Sequence, residues 1–246
     1  MRGGAARALL WPALAAALAF ALLVSLGVWQ LRRLDEKETL IARVEARAHL
    51  AAKDLPPPEE WAALVPADYE FVRVRLSGRY LPGRDALIFM RPPEGYGREP
   101  GYMAVTPFAL SAGGVVLVER GFVPVSKSDD LAGRAPPAEE TEISGLLRAP
   151  QTRNPFTPAD APASFVWFTR DPAAIAATLG VSGAAPFTLA LEGPASAGPN
   201  GFPRPVEATP EFVNNHLSYA LTWFGLAATL LVVFVVYARG RPVWEA

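Results

Sequence analysis

Between Glu211 and Arg239 the chain carries no formally charged side chain. At about 1.5 Å per residue, a helix over that gap is long enough to cross a hydrocarbon core of roughly 30 Å. Residues 213–238 therefore read as a transmembrane helix. Its first two turns hold Asn214, Asn215, His216, Tyr219, Thr222 and Trp223, whereas Leu230 to Val236 is almost purely aliphatic. That asymmetry puts any chemistry at the N-terminal end of the span.

On a helix, His216, Tyr219, Ala220, Trp223 and Ala227 share one face, which therefore carries an imidazole, two large rings and two small residues. Such a face suits packing on another helix or on a flat ligand. An imidazole near the membrane interface is a possible axial ligand for haem iron. Trp and Tyr also form ordinary interfacial belts, in which a neighbouring His only meets headgroups or water.

A second uncharged stretch, residues 8–31, lies between Arg7 and Arg32. Its apolar run exceeds the core of a signal peptide and no small-x-small cleavage site follows, so it reads as an uncleaved anchor. It starts too near Met1 to leave room for a mitochondrial transit peptide, which favours a bacterial inner membrane. Arg239 and Arg241 follow the second span and no Lys or Arg closely precedes it, so the positive-inside rule puts both termini in the cytoplasm. The expected layout is a cytoplasmic N-terminus (1–7), a first span (8–31), a post-anchor helix (32–55), a periplasmic β-rich domain (56–210), a second span (213–238) and a cytoplasmic tail (239–246). The post-anchor segment is rich in helix formers, with Pro56 to Pro58 as its expected stop. Trp29, Gln30, Arg33 and Lys37 are placed to meet headgroups or a partner at the membrane rim.

Composition narrows the chemistry. There is no cysteine, which removes thiolate catalysis and Cys-linked metal sites, and the two histidines, His49 and His216, are too few for a multi-histidine centre. A near-even charge balance, net −1, gives no footprint for nucleic acid. Serine-hydrolase, zincin and P-loop patterns are missing and the only extramembrane histidine is His49, so the chain does not read as an enzyme.

Between Tyr69 and Leu191 the pattern becomes extended. In EFVRVRL, from Glu70 to Leu76, Val72, Val74 and Leu76 alternate with Phe71, Arg73 and Arg75. Turns at Leu81 to Gly83 and Ser111 to Gly114 separate expected strands near Ala86 to Arg91, Tyr102 to Leu110 and Val115 to Arg120. Further strands are expected near Glu142 to Arg148, Ser164 to Thr169 and Phe187 to Glu192. Asp171 and Pro172 suit the start of a short helix and Gly180 its end. Ser126 to Glu140, Gln151 to Ala163 and Gly193 to Pro210 read as surface loops. The expected fold is a mainly antiparallel small barrel or sandwich, α+β, between two transmembrane helices.

Five fragments in this order are similar to the surfeit locus protein family, the Shy-type assembly factors of cytochrome c oxidase. They are GVWQLRRLDEKETLI after the first span, GYMAVTPF at Gly101 to Phe108, VVLVERGFVP at Val115 to Pro124, VWFTRD at Val166 to Asp171 and NNHLSYALTWFGLA at Asn214 to Ala227. The family's Trp-Gln pair is met by Trp29 and Gln30, its Thr-Pro by Thr106 and Pro107, its Arg-Gly by Arg120 and Gly121, and its histidine by His216. Glu119 and Phe122 stand where the family pattern has Asn and Trp.

The resemblance implies a non-catalytic factor that helps deliver or retain haem a for the largest subunit of the oxidase, with haem a synthase as a further partner. It implies His216 as the iron ligand, with Tyr219 and Trp223 as walls of the pocket and no metal other than haem iron. Arg32, Arg33, Lys37 and Arg120 are then cations able to face propionates, and Gln30 is a further contact position. The alternative is a cofactor-free membrane adaptor that stabilises an oxidase assembly intermediate through protein contacts.

Overall fold

The structure is a computed structural model that describes residues 3–48, 50–83, 85–193, 198–209 and 214–240. The expected N-terminal residues 1–2, His49 and the end of the C-terminal tail lie outside the described residues. The chain forms two units, Val44–Pro210 and the pair Met1–Arg43 with Glu211–Ala246.

The second of these units is made of helices. Helix α1, Gly3–Ala48, begins in it, and the chain's last helix, His216–Arg239, lies wholly within it. Both are long and apolar enough to cross a membrane, and their most apolar windows are 0% and 11% buried inside the protein, unlike the core helix of a soluble domain. The expectation of helix to residue 55 is corrected: α1 ends at Ala48, ahead of Pro56. The residues beyond it are drawn into the sheet, where strand β1, Lys53–Asp54, pairs parallel with the strand that carries Val74 and Arg75.

In the other unit a 3₁₀ turn, Pro58–Ala63, and a single helical turn, α2, Pro66–Tyr69, lead to strand β2, Arg73–Tyr80. Strands β3, Ala86–Met90, β4, Gly101–Leu110, β5, Val115–Pro124, β6, Thr141–Arg148, and β7, Val166–Trp167, follow, then helix α3, Pro172–Thr178, and strand β8, Ala184–Leu191. The remaining helix, His216–Arg239, is α4. Strands β2, β6, β8, β5 and β4 pair in that order, and β4 returns to β2 through Gly78↔Leu110 and Tyr80↔Phe108, closing a five-stranded barrel. The β3 and β7 strands extend the sheet outside the ring.

The alternation read in the sequence sets the layers. Val74, Leu76, Tyr80, Phe108, Val116, Val118, Ile143, Leu147, Phe187 and Leu189 form one buried cluster, as every second residue of the ring strands turns inward. The other face of the same sheet is covered too: Ile88, Val105 and Leu117 pack with Trp167 and with Ile175 of α3. Asp171 caps α3 by accepting from the Ala174 amide at 3.0 Å, with Pro172 in the first turn, and Gly180 follows at φ 68°.

Two local departures have backbone causes. The strand expected from Glu70 starts at Arg73 because Phe71 sits at φ 63°, a left-handed conformation incompatible with a ladder. The strand expected over Ser164 to Thr169 shrinks to Val166–Trp167, since Pro162–Ser164 makes a 3₁₀ turn and Phe165 adopts φ 57°.

Candidate functional site

In the helical unit, Gly27 of α1 has no side chain where the ring of Phe224 of α4 comes in: a Cβ there would lie 2.6 Å from that ring. This close approach lets polar groups on the two helices meet. One turn further along α1, Gln30 is 9% exposed between the outward Trp29 and Leu31, at 52% and 41%. A buried amide in an apolar helix demands a partner. Its Oε1 lies 2.7 Å from Nδ1 of His216, the first residue of α4. The oxygen can only accept, so in a neutral ring Nδ1 carries the proton and Nε2 keeps its lone pair.

The face expected around His216 divides. Ala220 and Ala227 are buried, at 1% and 3%, whereas Tyr219 is 56% exposed and Trp223 half-buried. His216 is itself half-buried. Small residues thus occupy the packed side, and the rings flank the more open side. Arg33, one turn past Gln30, is exposed and bonds Glu36 at 2.5 Å. An exposed pair of this kind is worth little and can exchange partners.

Arg120 belongs to a different site. It continues the inward series Val116 and Val118 on β5, and its side chain is fully buried. Arg120 donates to the Arg134 carbonyl at 2.9 Å and to Thr106 Oγ1 at 3.4 Å, lies 3.9 Å from Asp85 Oδ1 and stands 5.5 Å from the centre of the Tyr80 ring. Thr106 donates to Asp85 at 2.6 Å, and Arg134 Nε donates to the other carboxylate oxygen at 2.9 Å. Burial lowers the Arg120 guanidinium from its ordinary value, against the pull of Asp85 and Tyr80. Arg120, expected as a cation able to face a propionate, thus lies on the inward face of β5 with its side chain buried in this network. Arg134, within the segment expected to be a surface loop, is 3% exposed because it closes this network.

The outward face of β5 carries a second buried carboxylate. Glu119 accepts from Arg170 Nε, from Arg170 Nη2 at 3.4 Å and from Thr188 Oγ1 at 2.5 Å. Burial alone would raise the Glu119 carboxyl, but the charge and hydrogen bonds of Arg170, with Arg148 and Thr188, hold it below its ordinary value. Burial lowers Arg170, and its bond to Glu119 outweighs that and raises it, in agreement. A shallow cavity of about 190 Å³ opens beside this pair, with Met90, Met103 and Arg148 in its wall.

The Arg120–Gly121 step is a bulge: Ala104 faces Gly121 and Val105 faces Glu119, leaving Arg120 as the extra residue. Gly121 has φ 144°, and a Cβ on it would lie 2.0 Å from the Arg204 carbonyl oxygen. The returning segment is thus pinned to β5, with Phe122 and Arg204 exchanging backbone bonds of 2.8 and 2.9 Å.

The residues of the five fragments therefore fall into two groups, an interhelical couple at Gln30 and His216 and a buried framework at Thr106, Arg120 and Gly121. The family model described as SURF1 family matches residues 17–228, which takes in both groups. The chain belongs to the SURF1 family. It is 31% identical over 221 residues to a SURF1-like protein of Rickettsia felis, covering 89% of this chain and 93% of that one. It is 33% identical over 232 residues to Surfeit locus protein 1 of Mus musculus, covering 89% and 73%, and 32% identical over 234 residues to the Homo sapiens protein of that name, covering 88% and 74%.

Sequence reasoning named Gln30 and His216 separately without pairing them, and it missed Asp85, Arg134 and Arg170 as partners of the motif residues. The signal for the last three is physical: an Arg and a Glu adjacent in a strand buried on both faces each require an opposite charge.

Proposed function

We propose that this SURF1-family member serves assembly of a haem–copper cytochrome c oxidase by holding haem a at His216 for insertion into the largest subunit. The observation that carries the reading is the Gln30–His216 bond of 2.7 Å, which engages one ring nitrogen and leaves the other as a donor. Bound there, haem would supply an open coordination position to be completed by solvent or by the acceptor. His216 provides the iron ligand; Trp223 and Tyr219 are the rings nearest it along α4; Arg33 is the cation available to a propionate. No chemical step on substrate is assigned to the chain, which acts as a carrier and not as an enzyme. Haem a synthase is the natural donor and membrane lipid the surrounding solvent.

The site is read as lying at the outer rim of a bacterial inner membrane. Arg239 and Arg241 after the second helix favour cytoplasmic termini, with the barrel in the periplasm.

A cofactor-free adaptor is the second reading. It is favoured by the same bond, because an interhelical Gln–His contact also serves as a polar fastening between membrane helices. Spectra of protein purified from a membrane that makes haem a separate the two. We expect haem a in the wild type and its loss or spectral change in His216→Ala with the fold retained. Equal haem in both would place the ligand elsewhere. No haem in either, with oxidase assembly restored in cells, would favour the adaptor.

A further inference from the structure

We infer that Gln30 is a positioning residue that fixes His216 in the Nδ1-protonated tautomer, presents Nε2 as the only ring donor, and keeps that donor weak enough to exchange its ligand. The inference rests on the haem-holding reading above.

Three features carry it. The contact joins Oε1 to Nδ1 at 2.7 Å, and an amide oxygen there selects one tautomer of the neutral ring. Gln30 is nine-tenths buried in an otherwise apolar stretch of α1, so its amide has little competition from water. The absent side chain of Gly27, one turn away, admits the Phe224 ring and thereby fixes the spacing of the two helices at the couple.

The identity of the residue matters as much as its position. Histidines that ligate metals commonly donate their second N–H to a carboxylate, which raises the basicity of the ligating nitrogen and tightens the bond to the metal. A neutral amide oxygen orients the ring with a smaller gain than a carboxylate gives. Gln30 thus orients the ring while raising the basicity of Nε2 less than a carboxylate at the same place would, which suits a carrier that must surrender its cargo. Were the amide turned the other way, its NH2 would donate to Nδ1, Nε2 would carry the proton, and the ring would have no lone pair left for iron. The tautomer therefore decides the matter.

The test uses full-length protein in lipid nanodiscs, 15N-labelled at histidine, with His49→Gln so that His216 is the single labelled ring. Spectra of the haem-free protein are taken over a pH series, and the tautomer is read where the 15N shifts of the ring show it neutral. We expect His216 protonated at Nδ1 in the wild type and in Gln30→Glu, and a shift toward the Nε2-protonated form in Gln30→Met. After loading with haem a, we expect transfer to an excess of haem-free globin to be about 10- to 100-fold slower from Gln30→Glu than from wild type, and faster from Gln30→Met. An Nε2-protonated ring in the wild type, or a tautomer unmoved by Gln30→Met, would overturn the inference. So would equal transfer rates in all three. If the wild type takes up no haem, the carrier reading fails by itself, while the tautomer still decides whether Gln30 positions the ring.

Discussion

The carbonyl oxygen of Arg204 lies so close to the α-carbon of Gly121 that a Cβ there would stand 2.0 Å from it. Two segments far apart in the chain are joined at a point where only glycine fits, and the bulge at Arg120 sits directly before it. Gly121→Ala must push away the returning segment and adopt an unfavourable φ of 144°. We expect a loss of about 2–4 kcal/mol, by summing strain and steric displacement. Gly180→Ala, where φ is 68° but nothing lies within 4 Å of the added atom, serves as comparator at about 1 kcal/mol. Urea unfolding of nanodisc-embedded protein, followed by tryptophan fluorescence, measures both; equal losses would show that the Arg204 contact is slack.

The Asp85 network makes a separate prediction. One carboxylate faces two buried guanidinium groups, and Asp85→Asn removes the charge that it presents to Arg120 and Arg134. The expected cost is about 3–5 kcal/mol. Thr106→Val removes only a hydroxyl and should cost about 1–2 kcal/mol. The same unfolding curves rank them, and the order reversed would mean that the carboxylate is dispensable.

Acid should unfold the barrel in part through Glu119. Its folded value lies below its ordinary one, so its contribution is complete above the ordinary glutamate value of about 4.3 and is lost as pH falls through the lower folded value. Glu119→Gln is expected to be less stable than wild type at neutral pH, by about 3–5 kcal/mol, and to lose less on acidification. Parallel pH profiles for the two proteins would sink this assignment.

Gly27 and Phe224 should be coupled. Gly27→Ala places a methyl 2.6 Å from the Phe224 ring, so the helices must part or the ring must turn. On the haem-holding proposal the variant is expected to retain less haem a, and Phe224→Leu to restore retention in the double variant. A double-mutant cycle with no interaction between the two sites would contradict the packing.

Much of the framework was legible because its causes are local. The Asp171, Pro172 and Gly180 punctuation located α3, and the alternation in EFVRVRL set the two faces of β2. The rest depends on partners distant in sequence. Nothing near Lys53 and Asp54 marks them as a strand, since their pairing is supplied by Val74 and Arg75. Arg134 looks like a loop cation until Asp85 is brought beneath it from 49 positions away. Gln30 and His216 are each visible as polar residues at the end of an apolar span, but their bond spans 186 positions and is set by helix packing.

The return of β4 to β2 has a consequence for recognition. Strand addition needs a row of unpaired backbone groups, and among the described residues the closure of β4 on β2 through Gly78↔Leu110 and Tyr80↔Phe108 removes the edge that an open sheet would leave there. The outlying members of the sheet, β1 and β7, are two residues each. A protein that lengthens this sheet is therefore confined to the short outlying edges at β1, β3 and β7, and any other partner must read side chains on the loops and flanks, where specificity is written residue by residue.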